Sequence, residues 1–154
     1  MSDEAQSTTE QLKKTVLHST HVESNAKMVP FGGWDMPVQY SDGIIAEVKA
    51  VRSSAGIFDV SHMGRLVFEG PGAESILSSI TSANVPALKN GRGKYNFICN
   101  ATGGIIDDAM VYRTDEDKFL LVINAGNADV DMEWITPHLA ARDDFTMNVI
   151  TNDT

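Results

Sequence analysis

Three strand-length segments follow one another closely in the second half of the chain, and they constrain the fold more than any other feature. Alternating apolar residues predict strands over Tyr95–Asn100 and Ile105–Tyr112. Residues 101–104, with two consecutive glycines, are typical of a hairpin turn. A charged turn at residues 115–117 then leads into a third strand over Lys118–Ile123. Consecutive strands joined by such short turns predict an antiparallel sheet.

Further strands and helices are predicted on either side of these three strands. The predicted strands are Ile57–Val60, Arg65–Glu69 and Phe145–Ile150, and the predicted helices are about Ala73–Ile80 and Asn124–Ala141, the second interrupted by Pro137. The order strand, helix, three strands, helix, strand indicates an α+β fold. We expect an antiparallel sheet with helices on one face, ferredoxin-like in outline.

The chain is expected to divide into three parts. Residues 1–14 are polar and predict a disordered tail, because they offer almost nothing to bury. Residues 15–56 predict short strands and turns followed by a helix, which begins near Ser41 with Asp42 as its cap. Residues 57–154 predict the α+β subdomain.

Composition excludes several classes of function. The chain has 12 Lys and Arg against 21 Asp and Glu, a formal charge of −9, which disfavours binding to nucleic acid or to an anionic membrane. No apolar run approaches the length of a membrane span. The single cysteine, Cys99, cannot form an internal disulfide and predicts a small buried thiol. The polar N-terminus has no signal core, which predicts a cytoplasmic protein.

Asp107 and Asp108 are the residues most suggestive of chemistry. Neighbours in a strand point to opposite faces, so the two carboxylates cannot act on one substrate atom. Asp108 is predicted to share a face with Met110 and Tyr112. Such a carboxylate either binds backbone amides, for instance those of the turn near Gly103, or lies in a partly apolar pocket. The residues alone leave both interpretations open.

The remaining candidates are weaker. Tyr95 and Phe97 share one face of the preceding strand and extend an aromatic wall if the hairpin register agrees, although core packing more often explains alternating aromatic residues. His18 and His21 have a metal-ligand spacing, but nothing nearby completes a site, so no metal is expected. The glycine-rich, basic residues 91–94 lack the phosphate-binding pattern and predict a flexible loop.

Several stretches of the chain, in order, resemble the aminomethyltransferase family of glycine cleavage system T-proteins. These stretches are His21–Val22, Ala26–Tyr40, Val51–Arg52, Gly56–Gly64, Gly103–Asp108, Tyr112 and Asn124–Asn127. Each motif is short, but the ordered set is specific and extends from about Thr15 to the last residue.

The resemblance implies an activity and a site. Family members transfer a methylene group from the aminomethyl-lipoyl arm of the H-protein to tetrahydrofolate, and ammonia is released. Asp108 matches the functional aspartate of the family and is expected to orient folate or to stabilise the cation that develops as ammonia leaves. The resemblance places five further residues near the pterin: Met63, Tyr95, Met110, Tyr112 and Asn124.

Family members continue well beyond residue 154, so the resemblance implies a fragment that holds only part of the folate pocket. Independent activity is therefore not expected, and exposed apolar surface favours self-association. Two alternatives stay open at this point. One is a folate-dependent demethylase on the same scaffold, and the other is a folate-binding module without catalysis.

Overall fold

The computed structural model describes residues 11–140 and 142–151, and the chain divides into two compact units between Phe58 and Asp59. Most of the tail expected over residues 1–14 lies outside the described residues. Lys13, which falls within that tail, pairs with Trp34 in an isolated bridge. Its amide donates to the Gly33 carbonyl and its carbonyl accepts from the Asp35 amide, both at 2.9 Å.

The first unit combines two helices with a two-stranded antiparallel hairpin. Its elements are α1 (His18–Glu23), β1 (Lys27–Phe31), β2 (Trp34–Gln39) and α2 (Ile44–Ser53). Helix α2 begins later than predicted, after Gly43, whose φ of 79° favours glycine, and Asp42 makes no capping hydrogen bond. Glu47 in the first turn instead accepts from the Tyr40 amide at 2.7 Å.

The second unit has the predicted order of strand, helix, three strands, helix, strand. Its elements are β3 (Gly64–Glu69), α3 (Ala73–Ile80), a short 3₁₀ helix (Val85–Ala87), β4 (Arg92–Cys99), β5 (Ile105–Asp115), β6 (Lys118–Ile123), α4 (Ala128–Leu139) and β7 (Thr146–Val149). The five strands form one antiparallel sheet in the order β4-β5-β6-β3-β7. No helix within residues 11–140 and 142–151 is long and apolar enough to cross a membrane.

Both long helices of the second unit contribute to one core on one face of the sheet. Alternate strand residues such as Leu66, Val111 and Leu121 are buried there, together with Leu77 of α3 and Ile135 of α4. The intervening residues of the strands stay partly or largely exposed on the second face. The predicted α+β class, with an antiparallel sheet and helices on one face, is therefore confirmed.

Two local predictions are wrong. Residues 55–60 form no regular element, so the strand expected over Ile57–Val60 is absent, and the Ile57 side chain is 99% exposed. Pro137 does not interrupt α4, which runs on to Leu139. A proline this close to the end of a helix removes a single backbone hydrogen bond, which the remaining turns tolerate.

Two adjacent leucines of β6 test which face of the sheet forms the core. Leu121 is fully buried, whereas Leu120 faces the other side and is partly exposed. We expect Leu121→Ala to lower the free energy of unfolding by ~2–5 kcal/mol, because it leaves a cavity in the core. Leu120→Ala is the matched control and should cost clearly less in urea unfolding. Equal losses would contradict the assignment of the two faces.

Candidate functional site

The second face of the sheet brings together most of the residues singled out in the sequence. Asp108, Met110 and Tyr112 alternate along β5 and point to this face. The residues directly opposite them on β4 are Phe97, Tyr95 and Gly93 respectively. Side chains opposite one another in an antiparallel pair lie on the same face. Strand register therefore places the carboxylate beside an aromatic surface.

This surface is open in the structure. Tyr95 is 55% exposed, and Phe97 and Tyr112 are each 37% exposed. The rings of Tyr95 and Phe97 meet edge to face, with centroids 5.6 Å apart. Tyr95 and Phe97 thus form an aromatic wall, and the core packing that the sequence pattern favoured for them is wrong.

Asn124 holds the Asp108 carboxylate from the neighbouring strand. It directly follows β6, whose last residue, Ile123, pairs with Ala109 of β5. Its side-chain amide Nδ2 lies 3.2 Å from both Oδ1 and the backbone carbonyl of Asp108. The same Nδ2 lies 3.1 Å from Oδ1 of Asp107. One amide thus contacts two carboxylates that belong to opposite faces of the sheet.

The amides of the hairpin turn at residues 101–104 bind Asn100, and not Asp108 as the first interpretation of the sequence required. Asn100 Oδ1 accepts from the amides of Thr102, at 3.0 Å, and Gly104, at 2.8 Å. Neither carboxylate of the Asp107-Asp108 pair takes these amides. The structure therefore favours the second interpretation, in which Asp108 lies at the edge of a partly apolar surface.

The electrostatic influence of Asp108 extends to Tyr95. Partial desolvation, followed by the hydrogen bond and negative charge of Asp108, raises the pKa of the Tyr95 phenol above its ordinary value. The phenol O–H donates to the Asp108 carboxylate. The open face then carries an acceptor and a donor beside apolar rings.

Met63 lies at the same end of the sheet as Asn124. It immediately precedes Gly64, and Gly64 pairs with Ile123, the residue before Asn124. Its side chain is partly buried, and its amide donates to the Val60 carbonyl at 3.1 Å. All six site residues expected from the sequence are therefore on the open face of the second unit or at the sheet end next to it.

The two histidines with metal-ligand spacing bind different partners. His18 Nε2 lies 2.8 Å from Asp35 Oδ2, and His21 Nδ1 lies 2.8 Å from the Tyr40 hydroxyl. Among residues 11–140 and 142–151, no three metal-binding side chains come together. Cys99, expected to be buried, is partly exposed at the end of β4.

Sequence reasoning missed Gly93, which lies within β4 although residues 91–94 predicted a flexible loop. A Cβ at Gly93 would overlap Cδ1 and Cε1 of Tyr112, so the absent side chain leaves room for the tyrosine ring. A glycine within a strand often marks a place where another group packs closely against the backbone, so Gly93 itself was the available signal.

Sequence reasoning also missed Asp131. Val130, the residue before it in α4, is 53% exposed. Asp131 and Ile135 are the residues of α4 that are fully buried. Their spacing of four residues was the available signal, because it places an aspartate on the apolar stripe of the helix.

Known proteins are similar to this chain over most of its length. The family described as GCVT N-terminal domain matches residues 17–154. The aminomethyltransferase of Chlorobium luteolum is 48% identical over 86% of this chain and 36% of its own length. That of Deinococcus deserti is 52% identical over 78% of this chain and 33% of its own length. The chain thus spans about a third of these curated relatives.

A solved structure shows the same fold. The glycine cleavage system aminomethyltransferase T from Bartonella henselae superposes with a TM-score of 0.85 and 34% identity. The match covers 92% of this chain and 39% of that protein. From the matched residues, the relatives and the shared fold, we conclude that the chain belongs to the GCVT N-terminal domain family.

Proposed function

We propose that this chain is the pterin-binding part of an aminomethyltransferase of the glycine cleavage system. The reaction moves a methylene group from the aminomethyl-lipoyl arm of an H-protein to tetrahydrofolate and releases ammonia. The observation that carries the proposal is the position of Asp108 among Tyr95, Met110 and Tyr112 on the open sheet face.

The residues of this face fit a reduced pterin. A pterin is flat and largely apolar on its faces, while its edge carries amino and ring N–H donors. Exposed aromatic rings suit its faces, and a carboxylate acceptor suits its edge. Asn124 contacts Oδ1 of Asp108, and the Tyr95 phenol bonds the same carboxylate, so a ligand would share this acceptor with Tyr95.

Three tasks follow for the side chains of this chain. Tyr95 and Tyr112 orient the ring system by stacking against it, and Met110 provides an adaptable apolar contact between them. Asp108 accepts from the ring edge and fixes the ligand's rotation. Its negative charge would also stabilise the positive charge that develops on the transferred carbon.

The proposed reaction requires a partner protein. The lipoylated H-protein supplies the aminomethyl group, and its arm has to reach the edge of the site where Asp108 lies. A cytoplasmic location and the self-association expected from exposed apolar residues stay predictions. The exposed rings of Tyr95 and Phe97 support the second.

Removing the charge of Asp108 should weaken pterin binding. The probe is 5-formyltetrahydrofolate, a stable folate, titrated into the isotope-labelled 154-residue chain and followed by amide chemical shifts, a readout that also detects weak binding. We expect shifts concentrated at Tyr95, Met110 and Tyr112. Asp108→Asn should weaken binding by roughly tenfold or more, since a hydrogen bond to a charged group contributes about 1.5–3 kcal/mol.

The matched control is Asp117→Asn, which makes the same change of charge in the exposed turn between β5 and β6. It should bind the folate as the unchanged chain does. Shifts that are absent from the open face, or that persist unchanged in Asp108→Asn, would refute the proposed pterin site.

A second prediction concerns Gly93 and Tyr112. Gly93→Ala should displace the Tyr112 ring and weaken folate binding, because the added Cβ overlaps two ring carbons. Tyr112→Ala should also weaken binding. If both changes act through the ring, the double variant should bind about as weakly as Tyr112→Ala alone, in the same titration. Additive losses would show that Gly93 acts in some other way.

A further inference from the structure

Asp131 is a completely buried carboxyl group to which the proposed function assigns no task. It is 0% exposed, and neither of its oxygens meets a hydrogen-bond donor among the described residues. The group it faces is Asp107 of β5, which lies within hydrogen-bonding reach. Oδ2 of Asp107 is likewise buried without a donor. Two ionised carboxylates in this arrangement would have only acceptors to offer each other.

One proton resolves this conflict. The pKa of Asp131 is raised to about 7. Burial is the largest cause, followed by the charge and hydrogen bond of Asp107 and by the charge of Asp108. Burial opposes ionisation of Asp107 as well, but hydrogen bonds from Asn124, Asn127 and other groups prevail and lower its pKa. The proton therefore belongs to Asp131, whose O–H can donate to the ionised Asp107.

The surrounding charges do not supply a different partner. The negative charges that act on Asp131 come from Asp107 and Asp108 of β5. On the neighbouring helix α3, Glu74 is paired with Arg113 at 3.0 Å. The other acidic residues of α4, Asp129 and Glu133, are not among the groups that act on Asp131.

We propose that Asp131 is a positioning residue for Asp108, an inference that rests on the function proposed for Asp108. The protonated Asp131 bonds Asp107 and fixes its carboxylate. Oδ1 of Asp107 then accepts from Asn124 Nδ2 at 3.1 Å, and the same amide holds Oδ1 of Asp108 at 3.2 Å. A buried acid on the core face thereby sets the carboxylate on the open face.

The side-chain amide signals of Asn124 test this chain of contacts without any ligand. In the unchanged protein they should move with pH, with a midpoint near 7, as Asp131 ionises and repels Asp107. In Asp131→Asn they should stay constant through this range, because an amide donates to Asp107 at every pH. A flat response in the unchanged chain, or the same midpoint in Asp131→Asn, would overturn the proposal.

Stability should follow the same proton. Because its pKa is raised in the folded state, the contribution of Asp131 to stability is fully present below pH 3.8 and is lost as pH rises towards about 7. In Asp131→Asn this loss should not occur. The free energy of unfolding of the variant, measured in urea, should therefore rise relative to that of the unchanged chain as pH increases to 7. A difference between the two proteins that does not vary with pH would contradict the assignment of the proton.

Folate binding tests the link to Asp108. Asp131→Val removes the donor and should weaken 5-formyltetrahydrofolate binding by roughly tenfold, the effect of losing one charge-assisted contact. Asp131→Asn should restore binding, and its affinity should be independent of pH between 6 and 8. Asp129→Val, at an exposed position of the same helix, is the matched control and should bind normally.

The two proposals fail in different ways. If the unchanged chain does not bind the folate at all, the proposed function fails, while the Asn124 signals and the unfolding curves still decide the role of Asp131. If folate binds and Asp108→Asn weakens binding, but Asp131→Val binds normally, only the positioning role is overturned. Should Asp131→Val not fold, Asp131→Asn and the pH dependence remain decisive.

Discussion

The alternation of side chains along β5 is the constraint on which the rest of the site depends. Because neighbours in a strand face opposite ways, Asp107 enters the polar end of the core while Asp108 reaches the open face. A shift of register by one residue would exchange the positions of the two carboxylates and turn Met110 and Tyr112 from the open face towards the core. Pairing on both sides of β5, with β4 and β6, holds that register.

Asn124 connects the two carboxylates, which lie on opposite faces of the sheet. It follows the last residue of β6, so its position is set by the same strand pairing that fixes Asp108. Its single amide contacts both carboxylates, at 3.1 and 3.2 Å. In the proposed arrangement, this amide links the core side of the sheet to the carboxylate on the open face. Burial of Asp131 supplies the part of this arrangement that depends on pH.

The sequence predicted those parts of the fold in which a regular pattern coincides with local packing. Helix Ala73–Ile80 and strand Lys118–Ile123 have the expected bounds, because their apolar periodicity continues to both ends. Strand parity and family resemblance both pointed to Asp108. The strand expected over Ile57–Val60 failed, since apolar residues form a strand only where another strand pairs with them.

The parts that could not be predicted depend on contacts between distant residues. A single sequence did not reveal that Asp131 faces Asp107 across the helix–sheet interface, or that Tyr112 covers Gly93 on the next strand. Each looks unfavourable in isolation, as a buried acid or a strand glycine. Their value becomes apparent only when the partner is in place, and functional sites are where such local exceptions are expected.

A crystal structure of this chain grown with 5-formyltetrahydrofolate would test the central claim most directly. We expect the pterin on the open sheet face, stacked against Tyr95 or Tyr112, with its ring nitrogens within hydrogen-bond distance of Asp108. The contacts of Asn124 with Asp107 and Asp108 should persist. A pterin bound elsewhere in the chain, or on this face without a contact to Asp108, would contradict the account.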